Sequence, residues 1–265
     1  MRTFWIAACC LLTASFWSGP AYSQEEDAPE QEVDPIAEAI KQVNDQDNGV
    51  TINADKKHVD IEATVCLRRG EFLEMFACTR DTREHESILV IDAMPSTMHL
   101  GLLLLGLEPG KPLWYDRDFD PPKLVPAKGP EVEVLIVIKV DGVEREIPAN
   151  RWVQDNKTKE MMKGNTWLFA GSQFADFQDK QVYHADLNGS AISLVNFGDD
   201  LLTLPNTLTD ANESHDKVWA PRTKAIPEVG TKVIIRLRPK PAEEDNEQAP
   251  PPLPVPEEKA ADKAE

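Results

Sequence analysis

The chain has 265 residues, 41% of them hydrophobic, which is enough for one large domain or two small ones with a buried core. Its formal charge of −18 argues against a nucleic-acid partner, because contacts with phosphate need a basic face. We also expect no integral membrane span, because the apolar run from Phe4 to Phe16 is shorter than the roughly 20 residues that a span needs.

Residues 1–23 are typical of a secretory signal peptide. Arg2 gives a short positive start, an apolar run follows it, and Ala21 and Ser23 place small residues where signal peptidase reads the chain. We expect cleavage before Gln24 and export to the periplasm or cell envelope. Retention of the segment as an anchor and lipid attachment at Cys9 are the alternatives.

The two ends of the remaining chain are acidic. Residues 24–47 predict a linker that contains one short helix, Pro35 to Asn44, because Asp34 can cap a helix that begins with proline. Residues 240–265 are rich in proline and glutamate and predict a disordered tail, because this composition cannot bury enough apolar surface to fold. A docking peptide for a proline-reading partner is the alternative for this tail.

Residues 48–239 predict one domain with mostly antiparallel strands. Apolar residues alternate on both sides of Asp55 to Lys57, which predicts a hairpin, and Asp141-Gly142 and Asn188-Gly189 predict two more. The leucine-rich segment that begins at Pro95 is apolar on every face, which predicts a buried helix. The expected fold class is α+β: a predominantly antiparallel β domain with a buried central helix and a short N-terminal helix.

Four residues of the domain could bind a metal or form a disulfide: Cys66, Cys78, His85 and His99. Cleavage of the signal peptide would leave two cysteines in an exported protein, so we expect a structural disulfide between Cys66 and Cys78. Zinc or copper ligation and unpaired buried thiols are the alternatives, although structural zinc sites usually have more closely spaced cysteines. These residues do not identify a cofactor.

A candidate polar site consists of five residues: Glu74, His85, Glu86, Ser87 and His99. Glu74 falls on an apolar strand face, where a carboxylate needs a cationic or hydrogen-bonding partner. His99 is drawn inward by the apolar helix, so we expect Glu74, His85 and His99 to converge on one partly buried site. The alternative is that Glu84 and Glu86 are solvated while His85 points inward to a backbone carbonyl.

The ordered pattern formed by Glu74, the run Arg83 to Ser87, His99 with its leucine run, Trp167 to Ser172 and Val182 to Asp186 resembles the YdjY-domain family. This is a bacterial family of exported proteins whose biochemical role is not established. The resemblance covers roughly residues 48–239 and implies a shared motif at the candidate polar site. Members have been described as ferredoxin-like, but an iron-sulfur cluster needs four cysteines.

These patterns favour an exported envelope protein that acts as a binding or structural module. Its polar site would hold a small ligand or contact an envelope protein partner. The alternative is a metal-dependent or redox enzyme that uses His85, His99 and Glu74. The sequence does not decide whether a reaction is catalysed.

Overall fold

A computed structural model describes residues 34–70, 72–140, 142–177, 180–208 and 218–241. The helices of this part are α1 (Pro35–Asn44), α2 (Pro95–Leu104) and α3 (His184–Asn188), with 3₁₀ turns at Glu84–Glu86 and Ala149–Trp152. The strands are β1 (Val50–Asn53), β2 (His58–Val65), β3 (Met75–Thr79), β4 (Ser87–Ile91), β5 (Trp114–Asp116), β6 (Lys123–Val125), β7 (Glu131–Val140), β8 (Val143–Pro148), β9 (Val153–Asp155), β10 (Thr166–Phe169), β11 (Phe174–Phe177), β12 (Lys180–Tyr183), β13 (Ile192–Ser193), β14 (Leu202–Thr203), β15 (Trp219–Pro221) and β16 (Lys232–Pro239).

Eight strands close into a barrel in the order β2, β16, β7, β10, β14, β13, β3, β4, and β4 pairs again with β2. The pairs β13–β14 and β3–β4 are parallel, and the other neighbours in the barrel are antiparallel. The predicted α+β class is therefore wrong. The protein is mostly β, with 40% strand and 17% helix, because its sheet buries one apolar face by closing on itself rather than by packing against helices.

Apolar and polar residues alternate along the long strands, which explains why the sheet closes. On β16, Val233, Ile235 and Leu237 are buried, whereas Arg236 is on the other face. The Arg236 guanidinium pairs there with Asp60 on β2 at 2.6 Å. The strand thus has an apolar side for the core and a charged side for solvent.

Helix α2 is not the buried central helix that its composition predicts. Gly101 lies so close to Val59 on β2 that an added Cβ would come within 3.1 Å of a valine methyl, and the helix also reaches Phe169 on β10. Because β2 and β10 are separated by other strands of the barrel, α2 crosses one end of it. Leu100 and Leu103 face outward and are each 42% exposed.

Several local predictions are confirmed and one is wrong. Helix α1 has the predicted bounds, and the hairpins β1–β2 and β7–β8 form where the turn signals place them. The hairpin predicted at Asn188-Gly189 does not form, because α3 occupies this position and Gly189 ends it with a φ of +75°. The predicted signal peptide, residues 1–23, lies outside the described residues, as does the tail beyond residue 241. Within the described part, no helix is both long and apolar enough to cross a membrane.

Two short crossovers shape the surface of the barrel. The first, residues 80–86, joins the parallel strands β3 and β4; the second, residues 194–201, joins β13 and β14. Each must return along the outer face, because side chains such as Trp167 and Phe76 fill the interior. The crossovers cover the outer face of β3, which explains why all five residues of this strand are buried. Arg83 of the first crossover contacts Phe197 of the second.

Candidate functional site

Strand pairing brings two of the predicted site residues together. Met75 on β3 is opposite Ser87 on β4 in the parallel register. The residues that precede them, Glu74 and Glu86, are therefore neighbours, and the Glu74 N–H donates to the Glu86 carbonyl at 3.1 Å. The two side chains then leave the barrel end on the same side.

The side chains of Glu74 and Glu86 form a carboxyl pair. They are only 16% and 11% exposed, and both lie beside the same Arg83 nitrogen. Two carboxyl groups this close repel each other when both are ionised, and a proton on one of them lets it donate a hydrogen bond to the other. Burial raises the pKa of Glu86, and the charge of Glu74 raises it further. The pair therefore holds one proton more readily than two exposed glutamates would.

Arg83 supplies the positive charge next to this pair. Its Nη1 lies 3.5 Å from Glu86 Oε1 and 4.0 Å from Glu74 Oε2. The guanidinium also stacks on Phe197, with its carbon 3.8 Å from the ring centroid. A flat aromatic face limits how the guanidinium can turn. Arg83 is thus held between the Phe197 ring and two carboxyl groups.

His85 and Ser87 have different roles from those expected. His85 is 75% exposed, and its Nε2 lies 3.7 Å from Glu86 Oε2, so it stands at the rim of the site. The alternative prediction, with His85 inward and Glu86 solvated, is the reverse of what the structure shows. Ser87 is fully buried, and its hydroxyl donates to the Leu89 carbonyl at 2.8 Å. Ser87 therefore supports β4 and does not face the carboxyl pair.

His99 lies in a separate group, so the predicted convergence with Glu74 and His85 is wrong. It belongs to α2, which follows the far end of β4, and the five residues of that strand span roughly 15 Å. Its Nδ1 is 2.7 Å from the hydroxyl of Tyr183, which donates to the Gly171 carbonyl at 2.9 Å. The Tyr183 hydroxyl has only one proton, which it gives to Gly171, so it must accept a hydrogen bond from His99 Nδ1. Burial lowers the pKa of His99, so the ring is neutral near pH 7.

The predicted disulfide is absent, and Cys66 and Cys78 are free thiols. Cys66 extends β2 and Cys78 belongs to β3, with β4 between them. Two strand spacings amount to about 9.5 Å, whereas a disulfide needs Cα atoms within about 7 Å. The Cys66 thiol instead donates to the Ser87 carbonyl at 3.1 Å. Burial raises the pKa of Cys66 to about 12, with smaller effects of Cys78 and Glu84, which makes it a poor nucleophile.

No group of three or more His, Cys, Asp or Glu side chains in the described residues is arranged to hold a metal ion. The predicted metal ligands are divided between different places: the two thiols face β4, His85 faces solvent and His99 faces Tyr183. The metal-dependent alternative therefore has no geometry to support it in this part of the chain.

A surface groove of about 350 Å³ lies elsewhere, on the outer face of β2, β7 and β16. Most of its charged side chains are already paired. Lys139 lies 4.0 Å from Glu144, and Asp92 accepts from Arg80 at 2.6 Å.

Sequence reasoning missed the residues of the second crossover. Neither Phe197 nor Asp200 is singled out in the sequence analysis. Asp200 is fully buried, accepts from the N–H groups of Phe197 and Gly198, and has its pKa raised to about 7 by burial. Two adjacent acids inside an apolar run, Asp199 and Asp200, were the available signal, because buried carboxylates are rare without a specific partner.

A family model described as the YdjY domain matches residues 50–238. The match begins at the first residue of β1 and ends within β16, so it includes the whole barrel and the carboxyl pair. It agrees with the resemblance seen in the sequence. Comparisons with curated proteins and with solved structures gave no match.

Proposed function

This chain belongs to the YdjY domain family, and we propose that it is an exported protein of the cell envelope that acts as a binding module through its carboxyl pair. Export is supported by the signal-peptide pattern of residues 1–23. Binding is supported by the half-closed position of Glu74 and Glu86 at a barrel end, with His85 exposed beside them.

The observation that carries this proposal is that Glu74 and Glu86 lie side by side, with both carboxyl groups mostly buried and within 4.0 Å of Arg83 Nη1. Arg83 lies beside both carboxyl groups, and the raised pKa of Glu86 favours a proton on this residue. A ligand with a protonated amine can replace that proton and pair with the Glu86 carboxylate. We therefore expect a ligand that carries a basic nitrogen, either a free amine or a lysine side chain of a partner protein.

Binding of this kind competes with protonation of the site. The affinity for an amine should rise with pH through the titration of Glu86, because the pair must lose its proton to accept the cation. The raised pKa of Glu86 moves this dependence toward neutral pH. The site would then bind its ligand in neutral medium and release it in acid.

NMR titration of the mature protein with propylamine and with propanol tests the proposed chemistry, since the two probes are similar in size and differ in charge. Propylamine should shift the Glu74 and Glu86 carboxyl signals, and propanol should not. Glu86→Gln should abolish the shift, whereas Glu62→Gln, a change at an exposed carboxylate on β2, should preserve it. Equal shifts with both probes, or undiminished binding by Glu86→Gln, would contradict an amine site.

Two further measurements separate the source of the amine and test export. A lysine-containing peptide and its acetyl-lysine counterpart distinguish a partner side chain from a free amine. Intact mass of the protein recovered from its own host should begin at Gln24. A mass that includes Met1 would remove the cleavage part of the proposal without affecting the site.

A further inference from the structure

The second crossover ends at a buried carboxyl group that fixes the position of its aromatic residue. Asp200 Oδ2 accepts from the N–H of Phe197 at 3.0 Å and from the N–H of Gly198 at 3.1 Å. Gly198 has a φ of +84°, so the backbone turns sharply here. Two hydrogen bonds from successive N–H groups to one ionised oxygen are the strong kind. They set where the Phe197 backbone lies.

The position of Phe197 in turn sets the position of Arg83. The ring supports the guanidinium at 3.8 Å, and the guanidinium lies 3.5 Å from Glu86. The charge of Arg83 opposes the rise in the Glu86 pKa that burial causes. An unbroken series of contacts therefore joins Asp200 to the carboxyl pair.

We infer that Asp200 regulates the carboxyl pair: it holds Phe197, and through it Arg83, in the place where the guanidinium stabilises the ionised pair. This inference rests on the proposed function for the identity of the binding site. It concerns a different set of contacts, in which Asp200 is a positioning residue that touches no ligand.

The surroundings of Asp200 make this control sensitive to pH. The groups that act on its carboxyl are the Ser193 hydroxyl on β13, the two N–H donors and, as a charged group, Asp199. Burial and, to a smaller extent, the charge of Asp199 raise its pKa to about 7. Protonation removes the negative charge from the acceptor and weakens both hydrogen bonds. Acid therefore loosens the loop at Phe197 while it protonates Glu86, and both effects oppose binding of a cation.

Asp199 provides a matched control. It is also buried, but its Oδ2 accepts from the Asn188 side chain at 2.5 Å and not from the loop backbone. Removing its charge should leave Phe197 in place. Asp200→Asn keeps an oxygen that can accept from the loop and cannot titrate, whereas Asp200→Ala removes the acceptor.

The test is NMR of the ligand-free mature protein, in a His85→Gln background so that the exposed histidine does not contribute. In the parent, the Arg83 side-chain signals should move with pH with a midpoint near 7, because Asp200 titrates there. In Asp200→Asn that midpoint should vanish. In Asp200→Ala the Arg83 signals should lose most of their ring-current shift, and the pKa of Glu86 should rise. Asp199→Asn should keep the ring-current shift of Arg83 and a pH-dependent movement of its signals, with a midpoint lower than in the parent, because the charge of Asp199 raises the pKa of Asp200.

Three results would overturn the inference: Arg83 signals in Asp200→Ala that match the parent, the same change in Asp199→Asn, or a midpoint near 7 that persists in Asp200→Asn. The last comparison decides the matter even if Asp200→Ala does not fold. Because no ligand is present, failure of the amine titration leaves this result intact, and failure here leaves the amine site intact.

Discussion

Met75 pairs with Ser87 across two parallel strands, and this register places Glu74 against Glu86. A shift of one residue would turn one of the two carboxyl groups to the opposite face of the sheet. The short crossover that makes the pairing possible also carries Arg83, so one segment of seven residues supplies both the register and the cation. Backbone topology and site chemistry are therefore determined together.

Removing the cation should change the titration of the pair. In Arg83→Met, the pKa of Glu86 should rise, because the nearest positive charge is lost while burial and Glu74 still favour the protonated form. Carbon-detected NMR titration of the glutamate carboxyls measures this directly. Arg83→Lys keeps the charge without the flat stacking on Phe197, so it should give a smaller rise. A Glu86 titration that is the same in all three proteins would show that Arg83 does not act on the pair.

The sequence predicted local features well because their causes are local. Pro35 begins α1, and Gly142, with a φ of +78°, lies between the paired strands β7 and β8. Closure of the barrel depends on the pairing of Ala63 with Ile91, which no local pattern encodes. No local pattern predicts the separation of His99 from Glu74 either. Glu74 lies beside the start of β4, whereas α2, which carries His99, follows the far end of that strand.

The candidate site also combines features that local sequence predicts with features that depend on the overall fold. The position of Glu74 among apolar residues predicted that its carboxylate has a special partner. Its neighbours in the structure are Glu86 and Arg83, which sequence spacing could not distinguish from a histidine. Phe197 is more than 100 residues from Arg83 in the chain, so the stacking that fixes the cation could not be predicted from periodicity.

The free thiols should be unreactive in the folded protein. Cys66 and Cys78 should each react with a thiol reagent only after unfolding, because burial raises both thiol pKa values and both are covered by the first crossover. Mass spectrometry of alkylated protein before and after denaturation counts them. A loss of two mass units that is reversed by reductant would instead reveal a disulfide and would require β4 to move from between the two strands.

Tyr183→Phe should destabilise the end of the barrel that α2 crosses. The change deletes the hydroxyl that His99 and Gly171 share and leaves both without this partner. An unsatisfied buried group costs about 1–3 kcal/mol, so the free energy of unfolding should fall by an amount in that range. Chemical denaturation measures it. Phe174→Leu, at an exposed position next to Tyr183, is the control and should have little effect. An unchanged stability for Tyr183→Phe would mean that water replaces the hydroxyl.

Asp200 should make the stability of the protein depend on pH. Its folded-state pKa of about 7 lies above the ordinary value of 3.8, so between these values the folded protein binds more protons than the unfolded chain. The free energy of unfolding must then fall as pH rises through this window. Integrated over the full shift, the contribution of this group reaches at most about 4 kcal/mol. Asp200→Asn should remove that part of the fall, and urea denaturation of both proteins from pH 4 to 8 measures it. Glu86 contributes in the same direction, so Glu86→Gln must be measured in parallel. If Asp200→Asn retains the full pH dependence of the parent, Asp200 is ionised throughout and its two N–H partners outweigh the cost of its burial.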